Sequence, residues 1–564
     1  MKTDVLVLGG GSAGCVLAAR LSERASREVM LVEAGRDISP ATAPDAVRAR
    51  YPGRAYLDTR NIWNTLTAAM GRTRAGRPAA RRYEQARLLG GGSAINALMA
   101  NRGAPSDYDE WEALGAEGWT WEACLPVFRA IEADRDLDGP SHGRDGPIVV
   151  RRTSDAALSP FVDRMMKTLD RRGHPIRADQ NGPWEDGTFR GVVAISDAGE
   201  RQPTSFVYLT EAVRRRPNLR IATEHVAERL LFDGRRVVGA RLIGPDGRAF
   251  DVSAKEVVLT AGAIHTPTLL LRSGIGPAAE VAATGLAVVH DLPGVGRNLM
   301  EHPSIAVACW LPPAARARDP DEHHEQAIWR FSSGLPDMPV GDMHGAILSR
   351  AGWHSVGRRT GSLFFWVNKS HSRGSLRLVS ADPRHEPEVD FRMLSDERDL
   401  LRLKQALRMG AEALLDPHMD GFRDAVFPAS YTPRVAKIAA PGVWNAVQRG
   451  LLSGLLDVAG PLRPALVHGV VTLGTTLAGL LADDERLTDF VRANVGCTWH
   501  PSGTARMGRA DDPAAVTSPT GRVHGIEGLR VADASLMPSI PRANTNMPTI
   551  MIAERIAAFL DEGR

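Results

Sequence analysis

Two textures alternate along this chain. Val5-Leu6-Val7-Leu8 is an unbroken apolar run that ends on a cluster of glycines. Residues 4–35 as a whole predict strand, glycine turn, helix and strand, which is one β-α-β unit. Glu256-Val257-Val258-Leu259-Thr260 is a second apolar strand; it passes through Ala261-Gly262-Ala263 and predicts a helix over 266–272. Near the C-terminus, residues 529–533 predict a third short strand. A turn rich in proline and asparagine follows, then a closing helix over 548–560.

Between these units, residues 150–215 and 305–490 mix aromatics, prolines and longer loops, and they hold most of the candidate strands of a second sheet. The expected fold is therefore α/β: a Rossmann-like nucleotide-binding domain in three pieces (1–149, 216–304, 491–564). A substrate domain on a largely antiparallel sheet interrupts it twice (150–215, 305–490). Residues 139–146 and 314–325 read as exposed loops. An apolar insertion stands out at about 440–485, and 465–482 carries no Asp, Glu, Lys or Arg. A membrane span needs about 20 apolar residues, so the stretch predicts a buried or amphipathic helical excursion. Peripheral contact with a membrane or another subunit is the alternative.

Composition narrows the function. The length of 564 residues exceeds what one compact core organises, and 43% hydrophobic with 24% charged residues is ordinary for a globular protein. A net charge of +3 without a dense basic run gives no footprint for nucleic acid. The cysteines Cys15, Cys124, Cys309 and Cys497 lack the spacing of a metal site or a disulfide framework. No metal is expected. With the first strand opening almost at once, the expected location is the cytoplasm.

Gly9-Gly10-Gly11-Ser12-Ala13-Gly14 satisfies GxGxxG after a strand and at the start of a helix. Gly9 permits the tight turn, Gly11 lets backbone N–H groups approach a pyrophosphate, and Gly14 lets helix pack on strand. The helix N-terminus favours phosphate charge. Glu33, at the end of the second strand, can accept hydrogen bonds from ribose hydroxyls and would repel a 2′-phosphate. This unit alone does not separate NAD from FAD.

A second glycine cluster separates them. Leu88-Leu89-Gly90-Gly91-Gly92-Ser93-Ala94-Ile95-Asn96 with Asn101-Arg102-Gly103 resembles the first signature of the glucose–methanol–choline (GMC) flavoproteins. Gly262-Ala263-Ile264-His265-Thr266-Pro267 through Gly276 resembles the second signature. Pro293 to Asn298 with His302-Pro303, Trp499-His500-Pro501-Ser502-Gly503-Thr504, and Asp533-Ala534-Ser535 onward follow in the family's order. Ser106 to Trp111, Phe365-Trp366-Val367-Asn368-Lys369 and Asn544-Thr545-Asn546 are similar to the branch of 5-hydroxymethylfurfural and aryl-alcohol oxidases. The resemblance implies FAD held by Glu33 and Ala34, by Leu89, Ser93, Asn96, Ala97, Leu98 and Met99, and by Val226, Trp63, Asp533, Ala534 and Thr545. No histidine lies between Leu88 and Gly103, so dissociable FAD is expected.

Oxidising an alcohol requires a hydride acceptor, a group that takes the hydroxyl proton, and donors that hold the oxygen. His500 is the candidate base, since an imidazole can be neutral at working pH. Asn544, at the family's second active-site position, would steady the substrate oxygen. Trp499 is expected over the flavin or in the substrate wall. Phe365, Trp366 and Val367, with Phe364, suggest an apolar pocket for a primary, aromatic alcohol; three aromatics in a row equally describe a buried strand. His302 and His265 read as structural. The electrons would pass to O2 or to another acceptor, and the polar Thr498 beside His500 keeps a quinone-linked, choline dehydrogenase-like enzyme open. A flavin-containing hydroxynitrile lyase is the reading without net redox.

Overall fold

In the computed structural model, which describes residues 1–72, 76, 78–429 and 433–564, the strand Lys2–Leu8 lies inside a seven-stranded sheet of the described residues. It pairs in parallel with Val29–Val32 on one side and Ala249–Leu259 on the other. Leu219–Ala222 extends the sheet in parallel. Ala249–Leu259 has two partners in succession: residues 249–253 run antiparallel to Arg236–Ile243, and 257–259 run parallel to Leu529–Val531. Leu6, Val7, Val257, Val258 and Leu259 are wholly buried, as unbroken apolar strands covered on both faces must be.

The helices here begin before the apolar pattern does. Gly262–Arg272 opens on Gly262, whose N–H donates to the Asp533 carboxylate at 2.8 Å. Asn546–Asp561 opens ahead of Pro548, which falls in the first turn where a missing N–H costs nothing. That helix lies along Ser12–Leu21, joined by the Arg20–Glu554 ion pair at 2.9 Å and by the Ser12 hydroxyl donating to Asn546 Oδ1 at 2.8 Å.

The second sheet runs in the order 424–429, 304–310, 360–367, 343–348, 325–331, 187–190, 176–177, antiparallel except for its last pair. Helix Glu397–Leu415 covers one face. A Cβ at Gly410 would stand 2.4 Å from the Phe365 ring, so this glycine is what lets helix and sheet close. The other face looks towards a large cavity.

The apolar insertion folds as helix Val443–Val458, a 118° bend, and an irregular helix over Gly460–Val471. Among the described residues no single helix is long and apolar enough to cross a membrane. Leu456 and Val467 pack on Ala308, Trp310 and Phe427 of the sheet, whereas Val443, Trp444, Leu451 and Val458 are exposed. Two loops expected at the surface turn partly inward. His142 is buried among Glu132, Asp134 and Asp179, and His323 and Glu325 are buried, with Glu325 lining the cavity. Arg102 and Arg152 neutralise the His142 cluster at 3.2 Å from Glu132 and 2.7 Å from Asp134. The four cysteines are free and buried.

Candidate active site

A cavity of about 1350 Å³ opens between the two sheets, larger than the roughly 300–1,000 Å³ of an ordinary small-molecule site. Its floor is the glycine turn. Gly9 has φ +115°, and a Cβ there would strike the Thr260 carbonyl at 2.5 Å. A Cβ on Gly14 would meet the Gly9 carbonyl at 1.8 Å; this glycine lies under the cavity and closes helix on strand. Gly11 is different. It lines the cavity, and its Cβ would reach no protein atom closer than 3.9 Å. The chain itself leaves room for a side chain at Gly11, so the bare backbone there fits a ligand that must come close.

Most residues expected to hold a dinucleotide do line this cavity: Ser12, Ala13, Glu33, Ala34 and Trp63, then Asn96, Ala97, Met99 and Val226, then Asp533, Ala534 and Thr545. Glu33 accepts from Gly10 N–H at 2.8 Å and Gly35 N–H at 2.7 Å, and burial pushes its carboxyl up to about 7. Asp533 is equally buried, with its pKa raised, and accepts from Thr266 and Ser535 besides Gly262. Leu89, Ser93 and Leu98 do not reach the cavity. Leu89 packs behind Gly10, Ser93 donates to the Gly90 carbonyl at 2.5 Å, and Leu98, at φ 61°, turns into a small apolar cluster. They shape the loop rather than touch what it holds. Buried Arg201 fastens that loop through the Asn96 carbonyl at 2.7 Å.

His500 and Asn544 meet at the cavity's inner end. Asn544 Nδ2 donates to His500 Nε2 at 3.1 Å, so that nitrogen presents a lone pair. The Asn544 backbone N–H is fixed by Asn101 Oδ1 at 3.2 Å, while its own Oδ1 is buried without a partner. On the far side of the ring, His500 Nδ1 lies 2.8 Å from Thr498 Oγ1 and 2.9 Å from His302 Nδ1. Thr498 donates onward to Glu301 at 2.9 Å. Glu301 also accepts from Tyr83 at 2.7 Å and from the backbone N–H groups of His302 and His500. Burial drives the His500 imidazole down to about 3 and His302 well below the usual range, and it raises Glu301 against those donors.

Two GMC oxidoreductase family models match the chain, over residues 3–304 and 370–553. The chain is a GMC oxidoreductase. It is 41% identical to 5-(hydroxymethyl)furfural oxidase of Methylovorus sp. (strain MP688), covering 98% of both chains. It is 33% identical to the oxygen-dependent choline dehydrogenase of Ectopseudomonas mendocina (strain ymp), covering 98% of this chain and 93% of that one. Among solved structures, pyridoxine 4-oxidase from Mesorbium loti superposes with a TM-score of 0.80 at 27% identity, covering 99% of each. The oxidoreductase is thus an FAD-dependent enzyme acting on alcohols.

The aromatic wall of the oxidoreductase differs from expectation at two positions. Phe364 and Trp366 line the cavity, whereas Phe365 and Val367 point to the opposite face of strand Thr360–Val367. Phe365 packs on Trp329, Phe331 and Gly410. Trp366 stacks on His344 with ring centroids 3.9 Å apart. Trp499 lines the outer part of the site, its indole N–H donating to Glu84 at 3.2 Å. Its φ of 59° is rare for a bulky residue, and strain of this kind collects at functional sites. His302, expected to be structural, touches the candidate base. His265 instead braces Trp63, with centroids 4.4 Å apart, and pairs with Glu386 at 3.0 Å. Glu301 went unnoticed in the sequence; its only signal was a carboxylate directly before His302-Pro303 in an apolar stretch.

Proposed function

We propose that this oxidoreductase converts a primary alcohol to its aldehyde with O2 as the final acceptor, and that His500 is the base. The observation that carries this reading is the His500 Nε2–Asn544 Nδ2 pair at 3.1 Å on the cavity wall. FAD would be held, without a covalent link, by the bare backbone at Gly11, by Glu33 at the ribose and by Asp533 and Ala534. Bound there, FAD supplies the hydride acceptor.

The chain's own residues handle the proton. A substrate hydroxyl entering between His500 and Asn544 gives its proton to Nε2 and receives Nδ2–H, which steadies the oxygen as it gains charge. An imidazole with a pKa near 3 is a weak base at rest. Thr498 relieves that weakness: His500 Nδ1–H points at its hydroxyl, which donates to Glu301, so the imidazolium forms against a nearby anion. Because the Thr498 hydroxyl is engaged in this chain, its polarity argues less for a non-oxygen acceptor than the sequence suggested. The 41% identity to an oxidase over 98% of both chains favours oxygen.

The test is anaerobic mixing of the yellow protein with a panel of alcohols, followed by admission of air. Bleaching with rapid reoxidation and peroxide release is expected. Slow reoxidation would favour a dehydrogenase with another acceptor, the reading supported by the choline dehydrogenases. If no alcohol bleaches the flavin, the alcohol reading falls and cyanohydrin cleavage comes forward. Acid precipitation should release all the flavin into the supernatant.

A further inference from the structure

The cavity continues past the catalytic pair. Ser304 sits beside it, two residues after His302, and its backbone pairs with Gly496. From there Ala306, Ala308 and Trp310 alternate onto the cavity face, opposite Phe364, Ser362 and Thr360 of the neighbouring strand. At about 3.4 Å per residue, the path from Ser304 to Trp310 is roughly 20 Å long. The apolar insertion supplies the facing wall through Leu452, Leu456, Val467 and Val471, and the exposed Leu473 stands at its rim.

The polar atoms of these walls are turned away or already engaged. Ser362 donates to the Val307 carbonyl, Thr360 to Val356 and Thr472 to Thr475, at 3.2, 2.9 and 2.6 Å. The Arg449 guanidinium is held by the carbonyls of Ile438 and Ala440. At the far end the buried Trp310 indole N–H lacks an acceptor, and further across the same cavity wall Glu325 Oε1 and His324 Nδ1 also lack partners. Such an arm offers little to water, which needs polar partners, and much to methylene groups.

We infer that this arm holds the apolar chain of a lipophilic primary alcohol whose hydroxyl lies at His500 and Asn544. The inference rests on the alcohol reading above and adds the substrate class to it. Non-directional burial of methylenes there is the same in the ground and transition states, and such uniform binding lowers Kd and leaves the chemical step unchanged.

The experiment is the anaerobic reductive half-reaction of the holoenzyme with straight-chain primary alcohols from butanol to dodecanol. Apparent Kd should fall by up to about fourfold per added methylene, the equivalent of about 0.8 kcal/mol, while the limiting rate of bleaching stays level. Ala308→Phe, which plugs the arm from the sheet side, should flatten that dependence, and flavin content reports its folding. Leu456→Phe does the same from the opposite wall should Ala308→Phe not fold. A Kd indifferent to chain length, or a dependence that survives the folded plugs, overturns the inference. If no alcohol bleaches the flavin, the alcohol reading itself fails, and the arm is judged by thermal shift. A Tm rising with chain length supports it and a level Tm overturns it.

Discussion

His302 Nδ1 stands 2.9 Å from His500 Nδ1, with the two rings edge to face at 82°. The single proton on His500 Nδ1 is divided between Thr498 Oγ1 and His302 Nδ1, and two buried imidazoles so close cannot both be charged. With the proton on His500 Nδ1, His500 Nε2 is left as an acceptor, which is the state a base needs.

Flavin reduction should therefore show no acid limb near pH 6.5. Burial lowers His500 to about 3 and takes His302 and His344 well below the ordinary histidine value, so all three are neutral throughout the range in which a free histidine titrates. The pH profile of the anaerobic reduction rate from pH 5 to 8 should be flat, a range chosen around the ordinary value of about 6.5. A limb at that value, with flavin content constant across the range so that Glu33 is not its source, would show that His500 titrates as an ordinary histidine.

Replacing the base should be costly in rate and cheap in structure. His500→Ala is expected to slow flavin bleaching by about 10²–10⁴-fold, and Asn544→Ala by about 10²-fold, with flavin content and Tm close to wild type. Undiminished bleaching in His500→Ala would remove the assignment.

Thr498 acts through His500 as a positioning residue. Thr498→Val keeps the shape and removes the link to Glu301, so the limiting rate should drop about tenfold, on the scale of one lost hydrogen bond to a charged group, while Kd for the alcohol is retained. Thr498→Ser should restore the rate. A raised Kd with an unchanged rate would mean that Thr498 merely lines the site.

The two glycines should fail differently. Gly14→Ala places a Cβ 1.8 Å from the Gly9 carbonyl and is expected to yield little folded protein. Gly11→Ala meets no protein atom within 3.9 Å, so it should fold with a much reduced flavin-to-protein ratio. Full flavin content in Gly11→Ala would contradict the close approach of a cofactor there.

His142 should make stability sensitive to alkali. Burial pulls its imidazole down, but hydrogen bonds to Asp134, Asp179 and Glu132 outweigh this and raise it to about 10. The unfolded value is near 6.5, so the stabilisation is complete below that and is lost as pH rises towards 10. His142→Gln should cost about 3 kcal/mol near neutral pH, and its Tm should fall less than that of the wild type between neutrality and pH 10. Parallel Tm curves for the two would count against a charged His142.

What was legible in the sequence was local. An apolar run that breaks on Gly9 and Gly11 specifies its β-α-β unit within about thirty residues, and Trp499-His500 lies inside one contiguous motif. Phe364-Phe365-Trp366 was ambiguous because parity along a strand sets which side chains face the cavity, and a one-residue slip exchanges the faces. Glu301 and His142 were hidden for another reason. Each draws its role from partners far along the chain or from burial that no neighbouring residue announces: Tyr83 lies 218 positions from Glu301, and Asp179 lies 37 from His142.

The strand Leu529–Val531 completes its sheet beside residues 257–259, and this sets the order of events on the ribosome. Ser12 of the glycine turn is translated 534 residues before Asn546, whose Oδ1 accepts from it. Until that strand is made the edge at 257–259 is an unpaired row of N–H and C=O groups, open to pairing with other chains. A nascent polypeptide therefore carries an open sheet edge from residue 259 until residue 529 is made, and a stop in between leaves both the cofactor cradle and the chemistry unfinished.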